Sequence, residues 1–449
     1  MKSGRGYVLA GIVIGMLVVS MDTTIINTTM PVIAGSLGNM ELYAWTFASY
    51  MIFSTVLSPI AGRLADLYGR KRVYAVGIVL FMTGSVLCGS ADTMLQLVIF
   101  RAVQGVGAGV MLPFPMIIAG DLFTVEKRGQ IQAAFSAMWG LSAVIAPLIG
   151  SLFVEFVSWR WIFYVNIPIS ILTLLLLLPY KEVYEPKTAK VDVIGALIFS
   201  AGIILLLMVT VAPAEHGWYA AGGLLLLTVF YYYERKHSSP IVPLSLLQNR
   251  PVAWLNVNLL VVYTAMFGTS SFLPRFLQEG GYSVFMSGLA LLGNSFGWMA
   301  VSVPAGKWIL RYGYRRMIVI ANGLVLCSAV WLSFISSSSG FWFVFVGSVL
   351  LGLGFGMLST VSVIGSQQLV GPYEKGVSTS FTTFTRNIGT AAGVTIMGAI
   401  LDAARVPIEG YRRMFVFGTL LAVCGLLTSF MIRAGDEKGM EPVQANNEP

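Results

Sequence analysis

Runs of about 18 or more apolar residues, nearly free of charge, recur along the whole 449-residue chain, and each is long enough to cross a bilayer as a helix. Lipid offers no hydrogen bonds to an open backbone, so each run must satisfy its own, and a helix does so. The sequence therefore predicts an all-α integral membrane protein of about fourteen transmembrane helices. Spans are expected near 7–31, 43–61, 73–91, 95–118, 131–154, 161–179, 191–212, 217–233, 252–274, 284–305, 316–335, 341–365, 377–401 and 413–432. Composition agrees, with 56% of residues apolar and 11% charged. Lys2 and Arg5 before the first run mimic a signal peptide, but that run is too long, carries Asp22 and lacks an A-x-A site. An uncleaved first helix is expected.

Orientation follows from the basic residues. The side given the N-terminus, alternate loops and the C-terminus collects most of them, from Lys2 and Arg5 through Arg70, Lys71 and Arg72 to Arg433 and Lys438. The other side holds Arg160, Arg275, Arg405, Arg412 and Arg413. The positive-inside rule makes the crowded side cytoplasmic, with both termini inside a plasma membrane. The net charge of +8 is thereby a topology signal, and nucleic-acid binding is not expected. Cys88, Cys327 and Cys424 lie in predicted spans, odd in number and away from His216 and His237. Neither a disulfide framework nor a zinc site is expected, and no cofactor is called for. The polar tail 435–449 is expected to be disordered.

Two segments repeat. Gly62-Arg-Leu-Ala-Asp66-Leu-Tyr-Gly69-Arg70-Lys71 returns as Gly306-Lys-Trp-Ile-Leu310-Arg-Tyr-Gly313-Tyr314-Arg315, at an offset of 244. Arg101-Ala-Val-Gln-Gly105-Val-Gly107-Ala-Gly109 returns as Ser348-Val-Leu-Leu-Gly352-Leu-Gly354-Phe-Gly356, at an offset of 247. Repeats in matching order predict two six-helix bundles, 1–180 and 251–434, with an inserted helix pair in 181–250. Asp66 and Arg101 have no charged counterparts in the second copy, where Leu310 and Ser348 stand.

These motifs resemble a known family. Gly62–Lys71 looks like the loop signature between helices 2 and 3 of the major facilitator superfamily, and Arg101-x-x-Gln104-Gly105-x-Gly107 resembles its helix-4 signature. Asp22-Thr-Thr-Ile-Ile-Asn27-Thr-Thr-Met-Pro31 and Trp159-Arg-Trp-Ile-Phe-Tyr-Val-Asn166-Ile-Pro168 are similar to its fourteen-span drug:proton antiporter branch. The resemblance covers essentially the whole chain. Helix 5 departs from the antiporter pattern: Gly140, Ala146, Pro147, Gly150 and Ser151 stand where Gly-Pro and then Gly-Gly are usual. Pro147 keeps the potential kink, while the missing glycines weaken the inference to export.

Asp22 alone of the 20 acidic residues falls well inside a span. A charge at the bilayer centre costs about 2.5–3.5 kcal/mol on insertion scales, so such a residue usually faces a cavity and does something. Its functional reading is a proton-binding carboxylate that also meets the substrate; its structural one is an aspartate satisfied by Thr23 or Thr24. At 1.5 Å per residue Asp22 lies about 14 Å, and Arg101 about 9 Å, from the outer boundary, a difference that an arginine bridges. The resemblance implies that Arg101 shifts the proton affinity of Asp22; otherwise it anchors carbonyls between helices 1 and 4. In the loop, Asp66 and Arg70 can pair with Asp121, and Gly62 and Gly69 allow close approach and a turn. The family implies that this cluster, with Lys71, braces the outward-facing state; the plain alternative is that the basic residues only set topology.

Arg386, inside a span, either lines the cavity from the C-terminal half or contacts lipid or a helix end. Tyr50, Phe135, Trp139, Asn294 and Trp298 are the other expected cavity residues, their aromatic faces suited to lipophilic cations, although each singly can be mere packing. Gly105, Gly107 and Gly109 read as close helix packing. The resemblance thus implies a monomeric, proton-coupled exporter of amphiphilic, cationic drugs or toxic compounds, handling a small molecule and protons within the lipid bilayer. A carrier of lipids or metabolites with the same fold, or a non-transporting sensor, are the rival readings. An enzyme is not expected: no nucleophile–base set, metal cluster or phosphate loop is found.

Overall fold

The computed structural model describes residues 2–38, 42–181, 192–209, 216–237, 246, 248–282, 284–371, 374–404 and 406–432. The tail 435–449 and much of the 181–250 insertion lie outside the described residues. Every longer element among those described is a helix: α1 (Lys2–Leu37), α2 (Tyr43–Tyr68), α3 (Arg70–Gly89), α4 (Met94–Met111), α5 (Phe114–Leu122), α6 (Val125–Phe156), α7 (Trp161–Tyr164), α8 (Asn166–Leu177), α9 (Val193–Met208), α10 (His216–Glu234), α11 (Arg250–Ser270), α12 (Leu273–Glu279), α13 (Val284–Ser333), α14 (Phe341–Gln368), α15 (Lys375–Asp402) and α16 (Pro407–Met431). Among the described residues, seven helical stretches are long and apolar enough to cross a membrane by length and composition.

Local chemistry explains the breaks. Pro113 and Pro115 divide α4 from α5, because proline removes a backbone donor and crowds the preceding turn. Gly69 ends α2 at φ 96°. Gly313 interrupts α13 at φ 76°, so the two apolar runs expected at 284–305 and 316–335 meet there at a sharp turn. Both glycines hold a left-handed conformation that a side chain would strain, and both occupy the same place in the repeated loop.

Packing repeats with the sequence. A Cβ at Gly105 would lie 2.6 Å from the Tyr50 carbonyl oxygen, one at Gly109 2.6 Å from that of Ser54, and one at Gly107 would strike the Phe81 backbone. In the second copy Gly352 abuts Asn294, Gly356 abuts Trp298 (2.6 Å to its carbonyl oxygen) and Gly354 abuts Val325. Each contacted residue is displaced by 244 from its counterpart. The glycines let helix backbones touch, as helices in lipid require where no hydrophobic force drives them together.

Helices α2 and α15 meet along a seam, where Ile52, Val56 and Ile60 pack with Phe384 and Ala391. The α9–α10 pair covers this seam through Phe199, whose ring lies 5.4 Å from Phe384 and 5.2 Å from Phe230. Its outer faces bare Val193, Ile194, Leu197, Leu224 and Leu225, an apolar surface suited to lipid.

Candidate functional site

Asp22, on α1, is buried to 1% exposure where α1, α3, α4 and α8 converge. Arg101 Nη1 donates to its Oδ2 at 2.7 Å. Gln104 Nε2 and Asn166 Nδ2 donate to Oδ1 at 2.8 and 3.0 Å. The same two amides reach Ser85 Oγ at 2.7 and 3.0 Å, and Arg101 Nη1 also donates to Gln104 Oε1 at 2.7 Å. Tyr50 lies beneath the guanidinium, its ring centroid 4.1 Å from Arg101 Cζ. Thr23 and Thr24 turn instead to the backbone carbonyls of Val19 and Ser20. Three donors aimed at one carboxylate suit its ionised form, and buried charges persist only when paired in this way.

The structure thus brings Asp22 and Arg101 together, and adds Gln104, Asn166 and Ser85, to which sequence reading gave no role. Gln104 and Asn166 already stood in the quoted motifs. Amides and hydroxyls inside apolar runs are costly without partners, which was the available signal.

A second charged cluster lies at the Gly69 end of the molecule. Arg70 is 1% exposed; it contacts Asp121 directly and lies 3.6 Å from Asp66. Tyr180 donates to Asp121 at 3.1 Å. Asp66 also reaches across the seam: the backbone N–H groups of Gly376 and Val377 donate to its carboxylate at 3.1 and 2.8 Å. These amides open α15, where unsatisfied donors favour an anion. Burial lifts the Asp66 carboxyl to about 6, against the opposing pull of Arg70, the two amides and Arg63. Burial, then Arg128 and Arg70, lower the affinity of Lys375 for its proton. Lys71 points elsewhere, donating to the Leu178 carbonyl past α8.

More seam contacts share this end. Arg128 donates to Gln367 at 3.2 Å and to Gly120, Gln367 donates to the Met116 carbonyl at 2.9 Å, and Ser58 donates to that of Ser380 at 3.3 Å. A Cβ at Gly62 would strike Ser380, and one at Gly129 would lie 2.8 Å from Gly306. Only Gly backbones allow so close a seam.

The expected cavity residues divide. Phe135 is 1% exposed within the apolar cluster of α1, α3 and α5, whereas Trp139 is half-buried. Trp298 stacks edge-on to Phe355 at 4.7 Å. Asn294 Oδ1, Trp298 Nε1 and Arg386 Nε are buried without hydrogen-bond partners. Arg386 covers the Tyr263 ring at 4.8 Å. Unmatched buried polar atoms call for an explanation, a water or a ligand among them; Tyr74 Oη and Ser170 Oγ are others, away from these residues.

The family model of the Major Facilitator Superfamily matches residues 12–394. Multidrug transporter protein MdtP of Bacillus subtilis (strain 168) is 33% identical over 422 residues, covering 90% of this chain and 76% of that protein. Multidrug resistance protein 3 of the same organism is 32% identical over 409 residues, covering 89% and 80%. Multidrug efflux pump SdrM of Staphylococcus aureus (strain N315) is 28% identical over 391 residues, covering 85% and 87%. Among solved structures, the human organic anion transporter MFSD10 superposes with a TM-score of 0.70 over 96% of this chain and 99% of that one, at 15% identity; this likeness speaks for the fold alone. The chain belongs to the Major Facilitator Superfamily, and is a multi-pass membrane transporter.

Proposed function

We propose that this transporter exports amphiphilic, cationic drugs or toxic compounds in exchange for protons, by alternating access. The observation that carries the reading is the 2.7 Å contact between Asp22 and Arg101, both sealed from solvent. An ionised Asp22 holds Arg101, Gln104 and Asn166 and so ties α1 to α4 and α8. A proton cancels the charge that those donors serve, loosening the three helices together. The multidrug transporters among its relatives support drugs as the cargo and the family supports the proton.

In this reading fourteen helices form two six-helix bundles, 1–180 and 251–434, with the pair in 181–250 laid on their seam. Both termini and the Gly69 and Gly313 turns face the cytoplasm of a plasma-membrane monomer. The Gly62, Asp66, Gly69, Arg70 and Asp121 group is the inner gate, with Lys71 bracing α3 against the Leu178 carbonyl beside it. Asp66 bonded to the start of α15 holds that gate shut, and its release lets the bundles rock apart. Tyr50, Phe135, Trp139, Asn294, Trp298 and Arg386 line the cavity between them, beside Asp22.

Efflux of a cationic dye from vesicles holding the protein, with and without a pH gradient, tests this. Uphill movement that needs the gradient is expected. Equal movement without it removes the proton from the mechanism.

A further inference from the structure

Asp22 and Arg101 balance each other's charge, whereas Arg386 stands unbalanced. It lies near the middle of α15, about 16 Å along the helix from Lys375, in a run expected to span. No described carboxylate pairs with it; the Tyr263 side chain lies against it, its ring centroid 4.8 Å from the guanidinium carbon. Its Nε–H is buried and unpartnered. The Tyr263 ring leads to Phe355 at 5.6 Å, and Phe355 to Trp298 at 4.7 Å. The indole Nε1–H of Trp298 is also buried and unpartnered. A chain of packed rings therefore joins two unpartnered donors, one of them on a positive charge that no described carboxylate matches.

A lone cation at mid-membrane is expensive, and lipid headgroups do not reach that depth. An anionic group brought by the cargo would supply both the counter-charge and acceptors for the donors, and a guanidinium recognises planar oxyanions well. A purely cationic cargo gains nothing from Arg386 itself and binds through the aromatic faces alone.

We propose that Arg386, assisted by Trp298, binds an acidic group on the amphiphilic substrate, so that the cavity prefers zwitterions bearing a carboxylate, sulfonate or phosphate over simple lipophilic cations. The inference rests on the transport reading above and narrows its substrate class. The cationic part of such a zwitterion has aromatic faces to lie against, while its acid meets Arg386.

Two dyes on one scaffold test it: rhodamine B, a cation with a free carboxylate, and its ethyl ester, a cation alone. Binding is read by fluorescence anisotropy on the purified full chain in detergent. The acid is expected to bind about tenfold more tightly than the ester, the scale of a charge-assisted hydrogen bond. Arg386→Gln should bring that ratio close to unity, Arg386→Lys should restore part of it, and Trp298→Phe should lower it less. Equal binding of both dyes to the unaltered chain overturns the proposal. So does Arg386→Gln weakening both to the same extent, which marks a purely structural arginine. Uptake into proteoliposomes under a pH gradient separates the two levels. A binding preference with no uphill movement of either dye sinks the transport reading and leaves the site; uphill movement with no dependence of the preference on Arg386 sinks the site alone.

Discussion

The carboxylate of Asp66, at the end of α2, accepts a 2.8 Å hydrogen bond from the backbone N–H of Val377, which lies 311 residues further along the chain at the start of α15. This contact makes closure of the seam sensitive to pH. Buried in the seam, Asp66 titrates at about 6, against an ordinary 3.8 once water reaches it. The closed arrangement therefore holds a proton more tightly than the open one. That extra stability is full below the open-state value and is lost as pH rises through about 6.

Spin labels at Tyr68→Cys and Tyr312→Cys, exposed positions before the two turn glycines, would report the width of that end. In a background without the three native cysteines, the short-distance population should shrink between about pH 5 and pH 7.5, a window that spans the Asp66 titration. Asp66→Asn should flatten the change. The same pH response in that variant would place the sensing group elsewhere.

At the Asp22 network the expected cost is in stability as well as in coupling. Asp22→Asn leaves Arg101 buried without its counter-charge, and breaking one side of such a pair typically costs about 3–5 kcal/mol. Arg101→Met should cost a similar amount, through the orphaned carboxylate. The double variant should cost clearly less than the two losses added, since no unpaired charge remains. Proton-driven accumulation should nonetheless be lost in all three. Thermal unfolding in detergent and dye accumulation in vesicles measure the two effects separately. Strict additivity of the losses would mean that the two charges do not depend on each other.

Much of this arrangement can be read from the chain because its signals are local. An apolar run, a Gly at a fixed place in a repeated turn, and one carboxylate amid hydrocarbon each declare themselves within a few residues. Gly69 and Gly313 are thus foreseeable, and so is the meeting of Asp22 with Arg101. The contact of Asp66 with Gly376 and Val377 is not. Backbone amides carry no side-chain signature, and only the docking of α15 on α2 exposes them to an acid. Asn166 and Ser85 are visible as polar residues in apolar runs, yet their convergence on Asp22 or its neighbours depends on how α8 and α3 are rotated. Lys71 shows the reverse: its place in the motif suggests the gate, while its ammonium reaches the carbonyl of Leu178.

Glycine spacing predicts a graded response to added methyl groups. A Cβ at Gly107 would strike the backbone of Phe81, which cannot turn aside, whereas one at Gly323 meets nothing within 4 Å. Gly107→Ala should push α4 from α3 and destabilise the fold by about 1–3 kcal/mol, the usual cost of overpacking. Gly323→Ala, within a helix, should be neutral or stabilising by about 0.5–1 kcal/mol. Gly354→Ala, the repeat counterpart of Gly107, should resemble Gly107→Ala. Melting temperatures of the three purified variants decide this, and equal values for Gly107→Ala and Gly323→Ala would contradict the close approach of α4 and α3.

The last prediction concerns the driving force. Asp22 is the one carboxylate well inside the expected spans, so the simplest cycle exchanges one proton for one substrate molecule. A monovalent cation leaving as one proton enters moves no net charge, and the membrane potential then adds nothing to its export. Only the pH gradient drives it, with about 1.36 kcal/mol, or tenfold accumulation, per pH unit. A zwitterion of zero net charge behaves differently. Its export leaves one uncompensated positive charge entering, on which the potential acts with about 2.3 kcal/mol per 100 mV. The ester and acid forms of rhodamine B therefore separate the two cases on one scaffold. In vesicles with potential and pH gradient imposed independently, the ester should respond to the pH gradient alone, and the acid to both. Strong driving of the ester by potential would require a second proton per cycle. It would direct attention from Asp22 to a further titrating group, of which Asp66, already poised near 6 at the seam, is the first to test.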